Sequence, residues 1–196
     1  AGRAAAKWMS SSVERQLFLG YYVWITEGRK MNTITIRKAK LTDLDRMMEI
    51  YARAKRFMDS TGNTTQWEIG YPTRKMIQDD IENGYSFVCM GEDNIVHAAF
   101  KFFVGEDPTY RVIEQGRWKN DNTYGTIHRV ASDGTIKGIF SQIVSFCEAI
   151  CPELRADTHK DNNVMQHLFE KNGFERCGII YVEDGTARFA YQRCAR

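Results

Sequence analysis

Arg129-Val-Ala-Ser-Asp-Gly-Thr-Ile-Lys-Gly-Ile-Phe-Ser-Gln142 is the stretch on which the fold turns. An apolar run beginning at Tyr124 enters it, two glycines and a lysine come next, and a helical pattern leaves it with no carboxylate in the first turn. That helix reads from Lys137 to Ile150, where Pro152 stops it, and Leu154 to Thr158 reads as the next strand. Two strands joined by a helix of this length pair in parallel through a right-handed crossover. The turn also has a chemical meaning. A helix N-terminus presents N–H groups without intrahelical partners at the positive end of the macrodipole, and so binds anions. Gly134 and Gly138 let the main chain approach a ligand and Lys137 adds charge, so a pyrophosphate is the natural guest. The other reading is an ordinary glycine-bearing strand-to-helix turn. Neither G-x-x-x-x-G-K-[ST] nor G-x-G-x-x-G is present.

Upstream, Thr33 to Arg37 alternates as a strand, and Thr42 with Asp45 three residues later signals an N-cap. The helix beyond it puts Leu44, Met47, Met48, Tyr51, Ala54 and Met58 on one stripe and ends at Gly62. Pro72-Thr73 opens a second helix to about Asn83, and Tyr85 to Met90 pairs with Ile95 to Val104 as a hairpin. A polar loop over 105–122 is long enough to be suspected of function. Downstream, Asn162 to Lys171 reads as a fourth helix, and the strands Phe174 to Val182 and Ala187 to Arg193 turn back at Glu183 to Thr186. The order from Met31 is β-α-α-β-β-β-α-β-α-β-β. It predicts an α/β fold with a mixed sheet of six to seven strands flanked by about four helices.

The chain has 196 residues, 43% hydrophobic, which suits one well-buried domain over 31–196. Residues 1–30 differ in composition from that domain: they carry five Lys/Arg against two Glu, leaving the remainder near −1 of the total +2. They read either as a non-native leader or over-extended start, or as a native extension. The apolar run Leu17 to Ile25 is too short to span a bilayer and too aromatic for a signal peptide. It is expected to dock on a second subunit, which makes a homodimer possible, or on the chain's own sheet. The near-neutral body carries no electrostatic footprint for nucleic acid. Five scattered cysteines, Cys89, Cys147, Cys151, Cys177 and Cys194, predict reduced thiols in a cytoplasmic protein. Cys147 and Cys151 share a helix face, but without paired ligand spacing they read as small core residues, so no metal is expected.

Asn162-Asn-Val-Met-Gln-His-Leu-Phe-Glu-Lys-Asn-Gly-Phe174 resembles the N-x-x-A-x-x-L-Y-E-K-x-G-F signature of the GNAT acetyltransferase superfamily. Thr135-Ile-Lys-Gly-Ile-Phe140 lies where that superfamily has Q/R-x-x-G-x-G/A. The likeness extends over about 33–193 and is similar to a bacterial subgroup carrying Gly62-Asn-x-x-Gln-Trp67 and Gly105-Glu-Asp-Pro-Thr-Tyr110. It implies an N-acetyltransferase using acetyl-coenzyme A, without a metal, to acetylate a small-molecule or peptide amine. The pyrophosphate would lie on Thr135, Ile136, Lys137, Gly138, Ile139, Phe140 and Ser141. The pantetheine would lie between the strands 124–131 and 154–158, on backbone groups of Val130 and Ser132. The Val130 N–H would also face the thioester carbonyl as oxyanion donor, and Asn162 would bond the cofactor arm.

Departures from the family pattern bear on the chemistry. Phe140 replaces a small residue, so a more crowded phosphate turn is expected, and Thr135 replaces Gln/Arg, so its phosphate donors are expected to be mostly main-chain. Phe169, beside the cofactor, stands where many members have a tyrosine that protonates the departing thiolate, and phenylalanine has no proton to give. For the base, His128 is the first candidate, since imidazole accepts a proton near neutrality; its alternative is a core histidine bonded across the sheet. Asp157 and His159 are second choices on the acceptor side. Trp67, Glu68 and Tyr71 would line the acceptor site, with Trp67 read equally as a core plug. His97 and His167 read as hairpin and helix-surface residues.

Overall fold

The computed structural model describes residues 14–18, 21–25 and 34–194, with side chains from 34 onward. Its mixed sheet runs β1-β2-β3-β4-β5-β6-β7-β9-β8. The strands expected from the sequence are β3 (Thr35–Lys38), β4 (Ser86–Met90), β5 (Val96–Val104), β6 (Gly125–Ser132), β7 (Leu154–Thr158), β8 (Glu175–Tyr181) and β9 (Ala187–Arg193). Only β6 and β7 pair in parallel among the described strands, as the crossover requires. Ahead of them, β1 (Glu14–Phe18) and β2 (Tyr21–Ile25) form a hairpin that joins β3 through Tyr22 and Ile36. The backbone of residues 17–18 and 21–25 therefore belongs to the chain's own sheet, one of the two placements expected for the apolar run.

Among the described residues, four α-helices cover the two faces of the sheet. On one side lie α1 (Leu44–Ser60) and α2 (Arg74–Glu82), on the other α3 (Ile139–Ile150) and α4 (Asn163–Lys171). The stripe of α1 is buried at Leu44, Met47, Ile50, Tyr51 and Met58, while Met48 and Ala54 pack at its margin. Its start differs from the expected Thr42 cap. A short 3-10 turn precedes it, and the Asp43 carboxylate accepts from the Lys40 N–H at 2.8 Å while Arg37 grips it at 2.7 and 2.9 Å. Asp43 thus occupies the N-cap position of α1, but its carboxylate is turned back to Lys40 and Arg37 and makes no bond to the helix's first turn. Helices α2 and α4 start where expected, with Thr73 accepting from Met76 N–H at 3.2 Å and Asn162 from Met165 N–H at 3.0 Å, while α3 starts at Ile139, two residues after the expected Lys137.

Facing α3 and α4, the core includes Phe87, Phe100, Ile127, Ile143, Phe146, Leu154 and Phe169. Each such side chain stabilises the fold by about 1.5–3 kcal/mol on burial, so the sheet is anchored on both faces. Cys89, Cys147 and Cys151 are buried free thiols. Among the described residues, no helix is long and apolar enough to cross a membrane and no group of His, Cys, Asp and Glu is placed to hold a metal.

Candidate active site

The parallel ladder between β6 and β7 stops at Ile127 and Ala156, although both strands continue. On its other edge β6 bulges: Lys101 of β5 faces His128 and Ala99 faces Ala131, so Arg129 and Val130 stand opposite the single Phe100. Arg129 takes φ +50 to make this possible. Such a bulge bends a strand and re-aims its side chains, and here it coincides with the parting of β6 from β7. Arg129 is held in place by an ion pair with Asp80 of α2, which Lys101 also reaches at 3.0 Å.

His128 lies beside the opening. Its Nε2 is 2.8 Å from Asp107 Oδ2, and its Nδ1 is 3.4 Å from Asp157 Oδ1. Burial raises the Asp107 pKa, but the hydrogen bond and charge of His128 and two bonds from Thr109 outweigh it and bring it down to about 2. An ionised carboxylate accepts only, so Nε2 is the nitrogen that donates to Asp107, and Nδ1 is the one that accepts a proton whenever the ring is neutral. The contact at Nδ1 is too long for a good hydrogen bond, and Asp157 Oδ1 is already accepting from the Tyr110 hydroxyl at 2.7 Å. The ring is half-buried and packed between Phe103 and Tyr110. The arrangement leaves one imidazole nitrogen available to take a proton.

Asp107 was not singled out by sequence reasoning, although its loop was. In the loop over 105–122, Trp118 Nε1 donates to Tyr110 O at 2.9 Å, and Tyr124 Oη accepts from the Asp107 N–H at 3.0 Å. Trp118 and Tyr124 sandwich the Arg155 guanidinium at 4.2 and 3.9 Å. The far side of Tyr110 borders a cavity of about 340 Å³, away from His128.

At the phosphate turn, Gly134 and Gly138 both have positive φ, +78 and +74. A side chain at Gly138 would meet nothing within 4 Å, so its outer face is open, and the first turn of α3 holds no acidic residue. These features fit a pyrophosphate. Thr135, Lys137 and Ser141 are exposed around it, and Arg53 of α1 reaches within 4.0 Å of the Cβ position at Gly134. Ile136, Ile139 and Phe140 turn their side chains inward and offer only backbone. Phe140 packs against Phe169 with ring centroids 5.8 Å apart, so the crowding expected at the turn falls on the core side instead. Phe169 is likewise a core ring, 5.0 Å from Tyr191 and 5.3 Å from Phe174.

The turn rests on a buried carboxylate. Asp133 accepts from Thr135 N–H at 3.0 Å and Arg46 at 2.7 Å, and lies 2.9 Å from His97 Nδ1. His97, expected on the hairpin surface, is buried, with Asp93 at 2.9 Å on its other nitrogen. Burial lowers its pKa, but bonds to Asp93 and Asp133 and their charges outweigh that and leave it raised. His167 is exposed, as expected.

The remaining candidates separate. Val130 is half-buried at the bulge and Ser132 ends β6. Trp67 is buried between Tyr51 and Tyr71, at 6.0 and 5.6 Å, and so is a core plug, whereas Tyr71 is half-buried and Glu68 exposed. His159 is buried apart from His128, and burial together with the Arg188 charge lowers its pKa. Asn162 caps α4 through Oδ1 and donates through Nδ2 to Gln66 at 2.8 Å, so its amide is engaged within the chain.

A GNAT-family acetyltransferase from Streptococcus agalactiae has a similar structure, with TM-score 0.75 and 32% identity over 83% of this chain and 96% of that one. The chain belongs to the GNAT family of acetyltransferases. A GNAT-family protein from Listeria monocytogenes shares the fold at TM-score 0.63 and 18% identity, covering 83% of this chain and 95% of its own. One from Bacillus cereus does so at 0.54 and 21%, covering 83% and 98%. No protein-family model and no curated protein matches the sequence.

Proposed function

We propose that the chain is an N-acetyltransferase that moves acetyl from acetyl-coenzyme A to a primary amine of a small molecule or peptide, by direct attack in a ternary complex. The observation that carries this reading is His128, held by Asp107 at Nε2 with Nδ1 on its other side, beside the bulge where β6 leaves β7. His128 Nδ1 takes the proton of the attacking ammonium. The Val130 N–H polarises the thioester carbonyl, and the open turn from Gly134 to Ser141, with Lys137 and Arg53 beside it, holds the pyrophosphate. Ser132 and the backbone around it bind the pantetheine. Phe169 supplies no proton, but a thiol with a pKa of about 8.5 leaves tolerably as thiolate. Three buried free cysteines suit a reducing compartment, which we take to be the cytoplasm, with residues 1–30 as an extension of the catalytic domain.

The buried Phe169 favours one other reading, a module that binds acyl-coenzyme A and turns over weakly or not at all. Thermal shift with acetyl-coenzyme A, together with free-thiol release across an amine panel, separates the two. Binding with amine-dependent thiol release supports the transferase. Binding without release on any amine favours the module.

A further inference from the structure

Gln66 belongs to the Gly62 to Trp67 stretch between α1 and α2, and acetyl transfer by His128 makes no use of it. Its Oε1 accepts from Asn63 Nδ2 at 2.8 Å, Asn162 Nδ2 at 2.8 Å and Thr158 Oγ1 at 3.4 Å. The orientation is set by the backbone. Met165 N–H must donate to Asn162 Oδ1, so Asn162 offers Nδ2 to Gln66, and Gln66 must answer with its oxygen. Gln66 Nε2 is thereby turned the other way, with no partner among the described residues.

Arg188 adjoins the same residue. It is 6% exposed, and its guanidinium donates only to backbone carbonyls, Ala187 O at 3.3 Å and Gln66 O at 3.3 Å. No carboxylate lies within ion-pair distance among the described residues. Asp184 feels the Arg188 charge, yet its Oδ1 is occupied by Thr186 N–H and Oγ1. His159, whose pKa the Arg188 charge helps to lower, adds no anion. A buried guanidinium with two long bonds to neutral oxygens is poorly compensated. Its fork geometry matches a carboxylate, and the unpartnered Gln66 Nε2 on the neighbouring residue supplies a further donor.

The corner also faces the right way. Ala190 of β9 pairs with Asp157 of β7, and Arg188, two residues along, lies on the same face of the sheet as Asp157, the neighbour of His128. We propose that Arg188 and Gln66 Nε2 bind a carboxylate of the acceptor, so that the acceptor class is a carboxylate-bearing amine such as an amino acid. The inference rests on the transferase reading of His128.

The test uses the full chain with acetyl-coenzyme A and a panel of L-amino acids, each paired with its carboxamide, read by thiol release and by thermal shift in the presence of coenzyme A. The acids should show a KM about 10- to 100-fold below that of their amides, the worth of a hydrogen bond to a charged group. Arg188→Gln should abolish this preference while leaving the KM for acetyl-coenzyme A unchanged. Gln66→Glu retains the three bonds to Oε1 and turns a negative oxygen toward the ligand, so it should raise the KM of acids and spare amides even where Arg188→Gln fails to fold. Amides acetylated as well as acids would overturn the carboxylate site and leave the transferase standing. If no pair is acetylated and no acid shifts the melting temperature more than its amide, the site is also overturned, while the acetyl-coenzyme A shift reports separately on the proposed function.

Discussion

Replacing Asp107 with Asn isolates the charge behind His128. The amide retains an oxygen for Thr109 N–H, which Asp107 Oδ1 caps at 2.9 Å, so the turn at Pro108–Tyr110 should survive. What is lost is the anion that accepts from His128 Nε2 at 2.8 Å. Held at about 2 instead of its ordinary 3.8, Asp107 contributes about 2 kcal/mol to stability at neutral pH. Its folded-state pKa lies below the unfolded one, so this contribution is present above about pH 4 and lost as pH falls through about 2. Asp107→Asn should therefore lower the urea midpoint by about 1 M at pH 7 if m is about 2 kcal/mol/M. The gap between wild type and variant should shrink by roughly half at pH 3. Turnover should fall about 10-fold or more, because a carboxylate behind a basic histidine fixes its tautomer and orientation. A stability cost equal at pH 7 and pH 3, or none at all, would refute the linkage. Wild-type kcat in the variant would refute the orienting role.

The same geometry fixes three further outcomes. His128→Ala should lower kcat by about 100-fold or more with unchanged affinity for acetyl-coenzyme A, and should remove the acidic limb of the rate profile; wild-type rate and profile in a folded variant would return His128 to the role of a core residue. Gly138→Asp should weaken acetyl-coenzyme A binding strongly, since φ +74 strains any side chain and the new anion sits at the phosphate turn, whereas Lys137→Ala should cost about 1 kcal/mol or less; calorimetric titration checks both. His97 has a raised folded-state pKa, so its stabilisation is complete below the ordinary 6.5 and lost as pH rises through the folded value. His97→Gln should accordingly destabilise more at pH 5.5 than at pH 8.5 in thermal unfolding.

Periodicity and turn chemistry make the framework legible in the chain itself. Alternation marks β3, the hairpin marks β4 and β5, the run from Tyr124 to Thr158 implies the parallel pair, and Thr73 and Asn162 mark where their helices start. Each of these signals lies within a few residues of the element it specifies. The misreadings arise where a distant group takes over a local role. Thr42 lies in a 3-10 turn that Arg37 of β3 ties down through Asp43, so it does not start α1, and His97 is buried because Asp133, 36 residues away, pairs with its Nδ1. The same holds for the candidate base. His128 could be picked out from its strand and the family resemblance, but the direction of its free nitrogen depends on Asp107, 21 residues earlier in a loop with no regular period. What allows that loop to place a carboxylate is its aromatic anchor: Tyr110 lies 5.3 Å from Trp118 and 6.3 Å from Tyr124, and Trp118 and Tyr124 both cover Arg155 of β7. Large rings carry much buried area on few rotatable bonds, so they fix the loop to the sheet at little entropic cost, and the length that made 105–122 look functional is spent on bringing Asp107 to the strand.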